Sequence, residues 1–176
     1  MAIEYRTEPE YIEYLDGLAH PKVSPRHWHG VVQAAFASIV RENGRVHGTT
    51  ATEWDCWLPD RERQTKFIPD VSFVSYERLR ALSEDDRQFP PFAPDIAVEV
   101  WSPGDSRTYL QKKIDLYLSH GSLVVFDADP ATRVLRVITK KGERLLREGD
   151  RFADDVVPWL EFDLHELFRD LDIPEA

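Results

Sequence analysis

A-P-D-I-A-V-E-V-W-S-P-G-D-S-R-T-Y-L-Q-K-K-I-D-L-Y, residues 93–117, is the segment around which the predicted fold is built. It begins with an apolar run, Ile96 to Trp101, that predicts a strand and contains one carboxylate, Glu99. The turn signal Ser102-Pro103-Gly104-Asp105 follows, and a helical pattern with two lysines comes next. Burying a charge without a partner is costly. A metal ion or a lysine is therefore expected to compensate Glu99.

The strand predicted over Asp95–Trp101 is apolar on both faces apart from Glu99, which is typical of a central position in a sheet. The helix after it, capped by Asp105 or Ser106, runs to about Ser119. It is long enough to be a crossover to a strand at Leu123–Asp127. We therefore expect these two strands to be parallel and their connection to be right-handed.

Working outward, the patterns alternate between helical and extended segments. Thr7–Leu18 predicts a short helix, and Ser24-Pro25 predicts the start of a longer one that ends at Asn43-Gly44. The apolar spacing of this longer helix predicts a buried face made of Trp28, Val31, Val32, Ala35, Phe36, Ile39 and Val40. Strands are predicted at Arg45–Thr52, Glu53–Leu58, Lys66–Ser75, Val134–Thr139 and Arg144–Arg147, helical turns at Tyr76–Ser83, an irregular loop around Glu84-Asp85-Asp86, and a terminal helix at Phe162–Phe168. The fold class is α/β or α+β, with helices packed on a sheet.

The composition indicates a single domain over residues 1–176, with 42% hydrophobic residues for a core. One cysteine, Cys56, excludes an internal disulfide and a cysteine zinc site, so a reducing cytoplasm fits best. No apolar run approaches the roughly 20 residues of a membrane span. The net charge of -10 argues against tight non-specific nucleic-acid binding by the monomer. The best basic cluster, Arg61, Arg63 and Lys66, is most simply a solvated loop.

Two carboxylates, Asp70 and Glu99, lie on separate predicted strands that are each bounded by turn signals. If these strands are neighbours, the carboxylates converge at one end of the sheet. Two carboxylates in a partly dry site repel, and one takes up a proton unless a cation holds both. Mg²⁺, or Mn²⁺ in its place, prefers such an oxygen-only environment. The carbonyl of Val100 is a candidate third ligand.

The helix after Glu99 offers a lysine for this site. With Leu110, Ile114, Tyr117 and Leu118 on the buried face, Lys113 falls on the flank of that face. Lys112 falls on the opposite side, toward solvent. Lys113 can therefore reach the carboxylates, where it would orient an attacking water or neutralise charge on a phosphate. Two acids, a divalent metal and a lysine suit phosphodiester hydrolysis.

Structural explanations compete with this one at every position. Asp70 after a proline can be a turn former, and Glu99 with Lys113 can be a buried salt bridge. Glu53 is a candidate accessory ligand, although a surface acid is the simpler interpretation. His29 lies at the edge of the helix face and can approach the site, although a structural histidine is the simpler interpretation.

Several segments together resemble a known family. They are I-P-D-V-S-F-V, A-P-D-I-A-V-E-V-W-S-P-G-D, K-I-D-L-Y-L-S-H-G and the later D-P, with Y-L-D-G near the start and L-H-E-L-F near the end. This succession resembles the Uma-type putative restriction endonuclease family of the PD-(D/E)XK nuclease superfamily. The resemblance implies a restriction-endonuclease-like mixed sheet flanked by helices, a Mg²⁺ site and DNA as substrate. It also implies that Asp70 is the motif aspartate, Glu99 the second acid and Lys113 a lysine moved from strand to helix.

The sequence departs from the family pattern in two places. Trp101 stands where the superfamily usually has its lysine, and Val124-Val125-Phe126 replaces an E-Y-W-like stretch. Two hypotheses follow. The first is a Mg²⁺-dependent endonuclease, expected to be a homodimer because cutting both DNA strands favours two-fold symmetry. The second is a catalytically inactive module that keeps the nuclease fold for binding or assembly.

Overall fold

The computed structural model describes residues 12–15, 17–22, 25–58 and 65–174. In these ranges the helices are α1 (His27–Gly44), α2 (Tyr76–Arg80), α3 (Glu84–Gln88), α4 (Arg107–Ser119) and α5 (Leu164–Phe168), the last continued by a 3₁₀ turn at Arg169–Leu171. The strands are β1 (Ile12–Leu15), β2 (Leu18–Pro21), β3 (Gly48–Thr52), β4 (Cys56–Leu58), β5 (Thr65–Phe67), β6 (Val71–Ser75), β7 (Ile96–Val100), β8 (Val124–Asp129), β9 (Val134–Thr139), β10 (Gly142–Leu146), β11 (Arg151–Phe152) and β12 (Phe162–Asp163).

A six-stranded mixed sheet in the order β10-β9-β8-β7-β6-β3 forms the centre of the fold. Strand β7 is central and all five of its residues are buried, which confirms the prediction from its two apolar faces. It pairs in parallel with β8, with Ile96 opposite Val124, and α4 connects the two strands. The predicted parallel pairing of the two strands is therefore confirmed. The other pairings in this sheet are antiparallel.

Separate clusters of apolar side chains cover the two faces of this sheet, because strand residues alternate in direction. One cluster joins the sheet to α1 and α5 and includes Val32, Phe36, Phe73, Ile96, Val98, Phe126 and Leu164. The other joins the sheet to α4 and β5 and includes Phe67, Ala97, Leu110, Ile114, Tyr117 and Val125. Burying each large aliphatic or aromatic side chain contributes about 1.5–3 kcal/mol. Glu99 alternates with Ala97 and therefore faces the α4 side.

A four-stranded sheet in the order β2-β1-β5-β4 lies beside the central sheet. The strand predicted over Lys66–Ser75 is wrong as a single element, because β5 belongs to the small sheet and β6 to the large one. The break falls at Ile68-Pro69-Asp70. Pro69 has no N–H to continue a ladder, and the N–H of Ile68 donates instead to Oε1 of Glu13 at 2.8 Å. The chain thus changes sheets where the motif aspartate lies.

The helix predicted over Thr7–Leu18 is wrong for residues 12–15, which form β1; residues 7–11 and 16 lie outside the described ranges. β1 and β2 form an antiparallel hairpin in which Leu15 is opposite Leu18. Gly17 adopts φ +75°, which suits glycine in a tight turn. The sequence Asp16-Gly17 between apolar residues is itself a strong hairpin signal.

Helix α1 begins at His27, later than predicted, with Arg26 preceding it in an extended conformation. Ser24, the predicted cap, lies outside the described residues. Val32, Phe36, Ile39 and Val40 are buried as expected. Trp28 is 54% exposed, contrary to the prediction, and its neighbour His29 is buried instead. The first turn of α1 therefore faces the candidate site with His29.

The remaining elements agree with the sequence except at three segments, one of which is Glu53–Asp55, where the strand predicted over Glu53–Leu58 begins only at Cys56. Ser106 caps α4 by accepting from the N–H of Tyr109, and β9 and β10 form the expected hairpin. The segment at Glu84-Asp85-Asp86 is exposed as expected but is the short helix α3, because the hydroxyl of Ser83 accepts from the N–H of Asp86. The terminal helix begins only at Leu164, after β12. No helix in the described ranges is both long and apolar enough to cross a membrane.

Candidate active site

The two predicted acids lie next to each other at one end of the central sheet. β6 and β7 are antiparallel neighbours, and Val71 is opposite Val98. Asp70 immediately precedes β6 and Glu99 follows Val98, so the two carboxylates come from adjacent positions across the pair. Oδ2 of Asp70 accepts a hydrogen bond from the N–H of Val100 at 2.7 Å. The two carboxylates therefore converge at one end of the sheet, as expected.

A cleft of about 540 Å³ opens onto these acids. Asp70, Glu99, Val100 and Lys113 all line it, so the predicted catalytic and metal-binding residues share one pocket. They come from three elements, since Asp70 precedes β6, Glu99 and Val100 belong to β7, and Lys113 belongs to α4.

Lys113 is buried against the carboxylates, whereas Lys112 is exposed, as the helix geometry predicts. The ammonium of Lys113 lies 2.7 Å from Oε1 and 2.8 Å from Oε2 of Glu99. The hydroxyl of Tyr117, one helical turn further on, donates to Oε1 of Glu99 at 2.5 Å. Helix α4 therefore supplies both donors that fix the Glu99 side chain.

Glu13 is a third buried acid, which sequence reasoning missed. It is 3% exposed, and its Oε1 lies 2.8 Å from the ammonium of Lys113. Its Oε2 accepts from the hydroxyl of Tyr109 at 2.8 Å. A helix was predicted for this segment, whereas in the structure buried and half-buried residues alternate along β1, and Glu13 is one of the buried ones. The Asp16-Gly17 hairpin signal would have identified the segment as a strand.

Lys22 is the second residue that sequence reasoning missed, and no pattern around it marks it. Its ammonium lies 2.7 Å from Oδ1 of Asp70 and 2.7 Å from Oε2 of Glu53. It also donates to the carbonyl oxygen of Ile68 at 2.8 Å. Lys22 follows β2 directly, so its position depends on the hairpin.

Both accessory residues lie at the site. Glu53 is not the surface acid that the simpler interpretation favoured, because it pairs with Lys22 and its Oε1 accepts from the side-chain amide of Gln33 at 2.8 Å. Nε2 of His29 lies 3.4 Å from Oδ1 of Asp70, and its Nδ1 lies 3.0 Å from the hydroxyl of Ser102. His29 thus links α1 to the acids.

Comparison with known protein families also indicates a nuclease. The model of the Uma2 family, described as a putative restriction endonuclease, matches residues 2–165, which is most of the chain. This chain is a member of the Uma2 family. Membership supports a nuclease function and suggests DNA as the substrate. No curated protein matches the sequence.

A solved structure shows the same fold as this Uma2 chain. The crystal structure of a putative nuclease belonging to DUF820 from Anabaena variabilis superposes with a TM-score of 0.77. The match covers 90% of this chain and 89% of that one, at 21% sequence identity. The nuclease-like mixed sheet with flanking helices is therefore confirmed.

Trp101 stands at the position where the resemblance leads one to expect a strand lysine. Trp101 is half-buried and lines the cleft, and the guanidinium of Arg107 stacks over its ring at 3.5 Å. The ammonium near Glu99 comes from α4 instead. Lys66, predicted to be solvated, is buried and pairs with Asp55 at 2.7 Å; Arg61 and Arg63 lie outside the described residues.

The acids of the site are held in different charge states. Burial raises the pKa of Glu99 to about 7, more than the Lys113 ammonium lowers it. Burial alone would raise the pKa of Asp70 as well, but Lys22 and His29 outweigh it and hold that pKa well below its usual range. Burial alone would lower the pKa of Lys113, but Glu13 and Glu99 raise it, so Lys113 stays protonated.

The oxygen atoms around the acids suit a divalent cation. No three histidine, cysteine or acidic side chains in the described part of the chain converge on one cation position. Mg²⁺ needs only one or two carboxylates and keeps several waters. The ammonium of Lys22 already lies among three oxygens, those of Asp70, Glu53 and Ile68. A cation position made of oxygen atoms therefore exists in this fold, and its donors are of the kind that Mg²⁺ prefers.

Proposed function

We propose that this protein is a Mg²⁺-dependent endonuclease that hydrolyses DNA phosphodiester bonds. The observation that carries the proposal is the meeting of Asp70, Glu99 and Lys113 in one cleft. Family membership supports the same reaction class. When bound, Mg²⁺ or Mn²⁺ would activate a water and offset the negative charge of the phosphate.

In this proposal Asp70 and Glu99 hold the metal, with the carbonyl of Val100 as a further oxygen ligand. The N–H of Val100 fixes one oxygen of Asp70, which leaves Oδ1 to face the cation. Tyr117 and Lys113 fix the orientation of Glu99. A preorganised carboxylate pair needs little rearrangement when substrate binds.

Lys113 acts as a donor, because its raised pKa excludes it as a general base. Glu13 and Glu99 hold its ammonium from two sides, and it lines the cleft. There it can donate to the attacking water or to a phosphate oxygen. The negative charge of the reacting phosphate then lies next to a fixed positive charge in a partly dry pocket, where the attraction is strong.

Substitution of the two acids tests this function. Asp70→Asn and Glu99→Gln should each lower the rate of Mg²⁺-dependent plasmid cleavage by about 100-fold or more, because each removes a ligand charge. Asp85→Asn and Glu77→Gln remove the same charges from exposed positions and should cleave at the wild-type rate. Circular dichroism checks that all four variants fold. Wild-type cleavage by a folded Asp70→Asn or Glu99→Gln variant would refute the assignment.

A second candidate function is a binding or assembly module without hydrolysis. The observation in its favour is that the ammonium groups of Lys22 and Lys113 already pair with the acids. Trp101 in place of the usual lysine points the same way. Titration calorimetry with Mn²⁺ separates the two functions. Heat that disappears in Asp70→Asn supports the nuclease, and absence of binding at millimolar Mn²⁺ supports the module.

The homodimer belongs to the same proposal. A double-stranded substrate has two scissile phosphates related by approximate two-fold symmetry, and a symmetric dimer presents two identical sites to them. The net charge of -10 makes non-specific approach to DNA unfavourable. Binding is therefore expected to depend on contacts within the cleft, where Arg26 and Lys22 lie beside the acids.

A further inference from the structure

We propose that the ammonium of Lys22 is an internal cation that holds Oδ1 of Asp70, an oxygen of the proposed metal site, and releases it when a divalent ion binds. The inference rests on the proposed metal-dependent function. It assigns to Lys22 a role that neither the family pattern nor the sequence marks. The site would then be closed by its own side chain until metal arrives.

The surroundings of the ammonium are those of a bound cation. Three oxygens lie within 2.8 Å of it: Oδ1 of Asp70, Oε2 of Glu53 and the carbonyl of Ile68. Two are carboxylate oxygens and one is a backbone carbonyl, which are all ligand types for Mg²⁺. Oδ1 is also the oxygen of Asp70 that is free of the Val100 amide. A metal ion and the Lys22 ammonium therefore compete for the same atom.

The charge balance of the cluster favours the exchange. Glu13, Glu53, Asp70 and Glu99 supply four carboxyl groups, whereas Lys22 and Lys113 supply two ammonium groups, and His29, 3.4 Å from Oδ1 of Asp70, adds a positive charge when protonated. A divalent ion that displaces the Lys22 ammonium from Asp70 brings twice its charge to the acids. Burial in a medium of low dielectric makes that difference large.

The two lysines differ in their freedom to move. The side chain of Lys113 is 3% exposed and is enclosed by α4 and two carboxylates, whereas that of Lys22 is 15% exposed and lines the cleft. Lys22 follows β2, an edge strand whose residues are exposed or half-buried. A swing of this side chain into the cleft therefore breaks its three contacts without disturbing the core.

Calorimetric titration of metal-free protein with Mn²⁺ tests the exchange. Lys22→Met keeps the length of the side chain and removes the competing charge, so its Kd for Mn²⁺ should fall by about tenfold or more relative to wild type. Lys112→Met removes the same charge from an exposed position on α4 and should leave the Kd unchanged. Equal or weaker binding by Lys22→Met overturns the inference while leaving the metal site intact. Absence of binding by both proteins overturns the proposed function as well.

Chemical labelling of the wild-type protein keeps the test independent of the folding of Lys22→Met. An amine-reactive reagent, mapped by mass spectrometry, should modify Lys22 slowly without metal and several-fold faster with saturating Mn²⁺, because the ammonium is released. Lys112 serves as the internal control and should react equally in both states. In Asp70→Asn the labelling of Lys22 should not respond to Mn²⁺. Protection of Lys22 on metal binding in the wild type would show that it stays in place and would overturn the inference.

Discussion

Glu99 and Asp127 are opposite each other on the parallel strands β7 and β8, yet they have different surroundings. Glu99 receives the ammonium of Lys113, which is 3% exposed, and shares it with the buried acid Glu13. Asp127 receives two guanidinium groups, from Arg107 and Arg136, whose side chains are 48% and 24% exposed. Both carboxylates are themselves buried.

The difference between these two acids shows where the fold concentrates charge away from water. At Asp127 the neutralising groups are open to solvent, and they extend into a surface network through Asp129 and Glu143. At Glu99 both the acid and its cation are enclosed, and both line the cleft. A site like that of Glu99 gives strong electrostatic interactions with a substrate. The network at Asp127 mainly neutralises one buried acid with partners that are open to solvent.

Removal of the buried ammonium of Lys113 should cause the largest loss of stability. Lys113→Met leaves Glu13 and Glu99 without their shared charge, and breaking a buried ion pair costs about 3–5 kcal/mol. Urea unfolding followed by circular dichroism measures the loss. Lys112→Met, on the exposed side of α4, should stay within about 0.5 kcal/mol of wild type. Similar unfolding free energies for the two variants would mean that the cluster contributes little.

The next largest effect is expected in the pH dependence of the unfolding free energy. Comparison with Glu99→Gln separates the contribution of Glu99 from those of the other titratable groups. Burial raises the pKa of Glu99 from 4.5 to about 7, so the folded state binds this proton more tightly than the unfolded state. The resulting stabilisation is complete below pH 4.5 and is lost as the pH rises through about 7. Glu99→Gln cannot titrate. The unfolding free energy of wild type minus that of Glu99→Gln should therefore decrease across this window.

Urea unfolding in the presence of a chelator, at half-unit pH steps from 4.5 to 8, measures that difference. The chelator removes metal ions that would hold Glu99 ionised. If the unfolding free energies of the two proteins change in parallel with pH, the pKa of Glu99 is not raised. If the difference between them grows with pH, the pKa of Glu99 is lowered.

The smallest loss of stability is expected on substitution of Arg107, the more exposed of the two arginines that pair with Asp127. Arg107→Met removes contacts of 3.2 Å to Asp127 and 3.3 Å to Asp129 and the stacking over Trp101, but Arg136 still pairs with Asp127 at 2.9 Å. The arginine is half in solvent, so the loss should be about 1 kcal/mol or less. The same urea experiment measures it. A loss as large as that of Lys113→Met would remove the distinction between the two clusters.

The sequence predicts the central part of the site because local patterns determine it. An acid in an apolar strand, a turn, a capped helix and a lysine on the flank of that helix place Glu99 and Lys113 on facing elements. The parallel crossover then brings them together. Asp70 was placed at the site only on the condition that its strand neighbours that of Glu99, and the structure meets this condition because β6 is the antiparallel neighbour of β7.

The rest of the site could not be read in this way, because it depends on how the two sheets meet. Glu13 was missed because a helix was predicted over its segment, although the Asp16-Gly17 turn signal indicates a hairpin there. Lys22 has no periodicity around it, and its partners Glu53 and Asp70 are 31 and 48 residues away along the chain. Glu53 has a positive φ of 51° and sits just after β3, a position that only the folded chain defines.

The crossing of the chain from one sheet to the other at Ile68-Pro69-Asp70 gives the site two natural reporters. The amide of Ile68 donates to Glu13, and the amide of Val100 donates to Asp70. Each amide hydrogen exchanges with solvent only after its carboxylate releases it. The exchange rates of these two hydrogens therefore record, without any added label, how often Glu13 releases the backbone beside the small sheet and how often Asp70 releases the backbone of the large one.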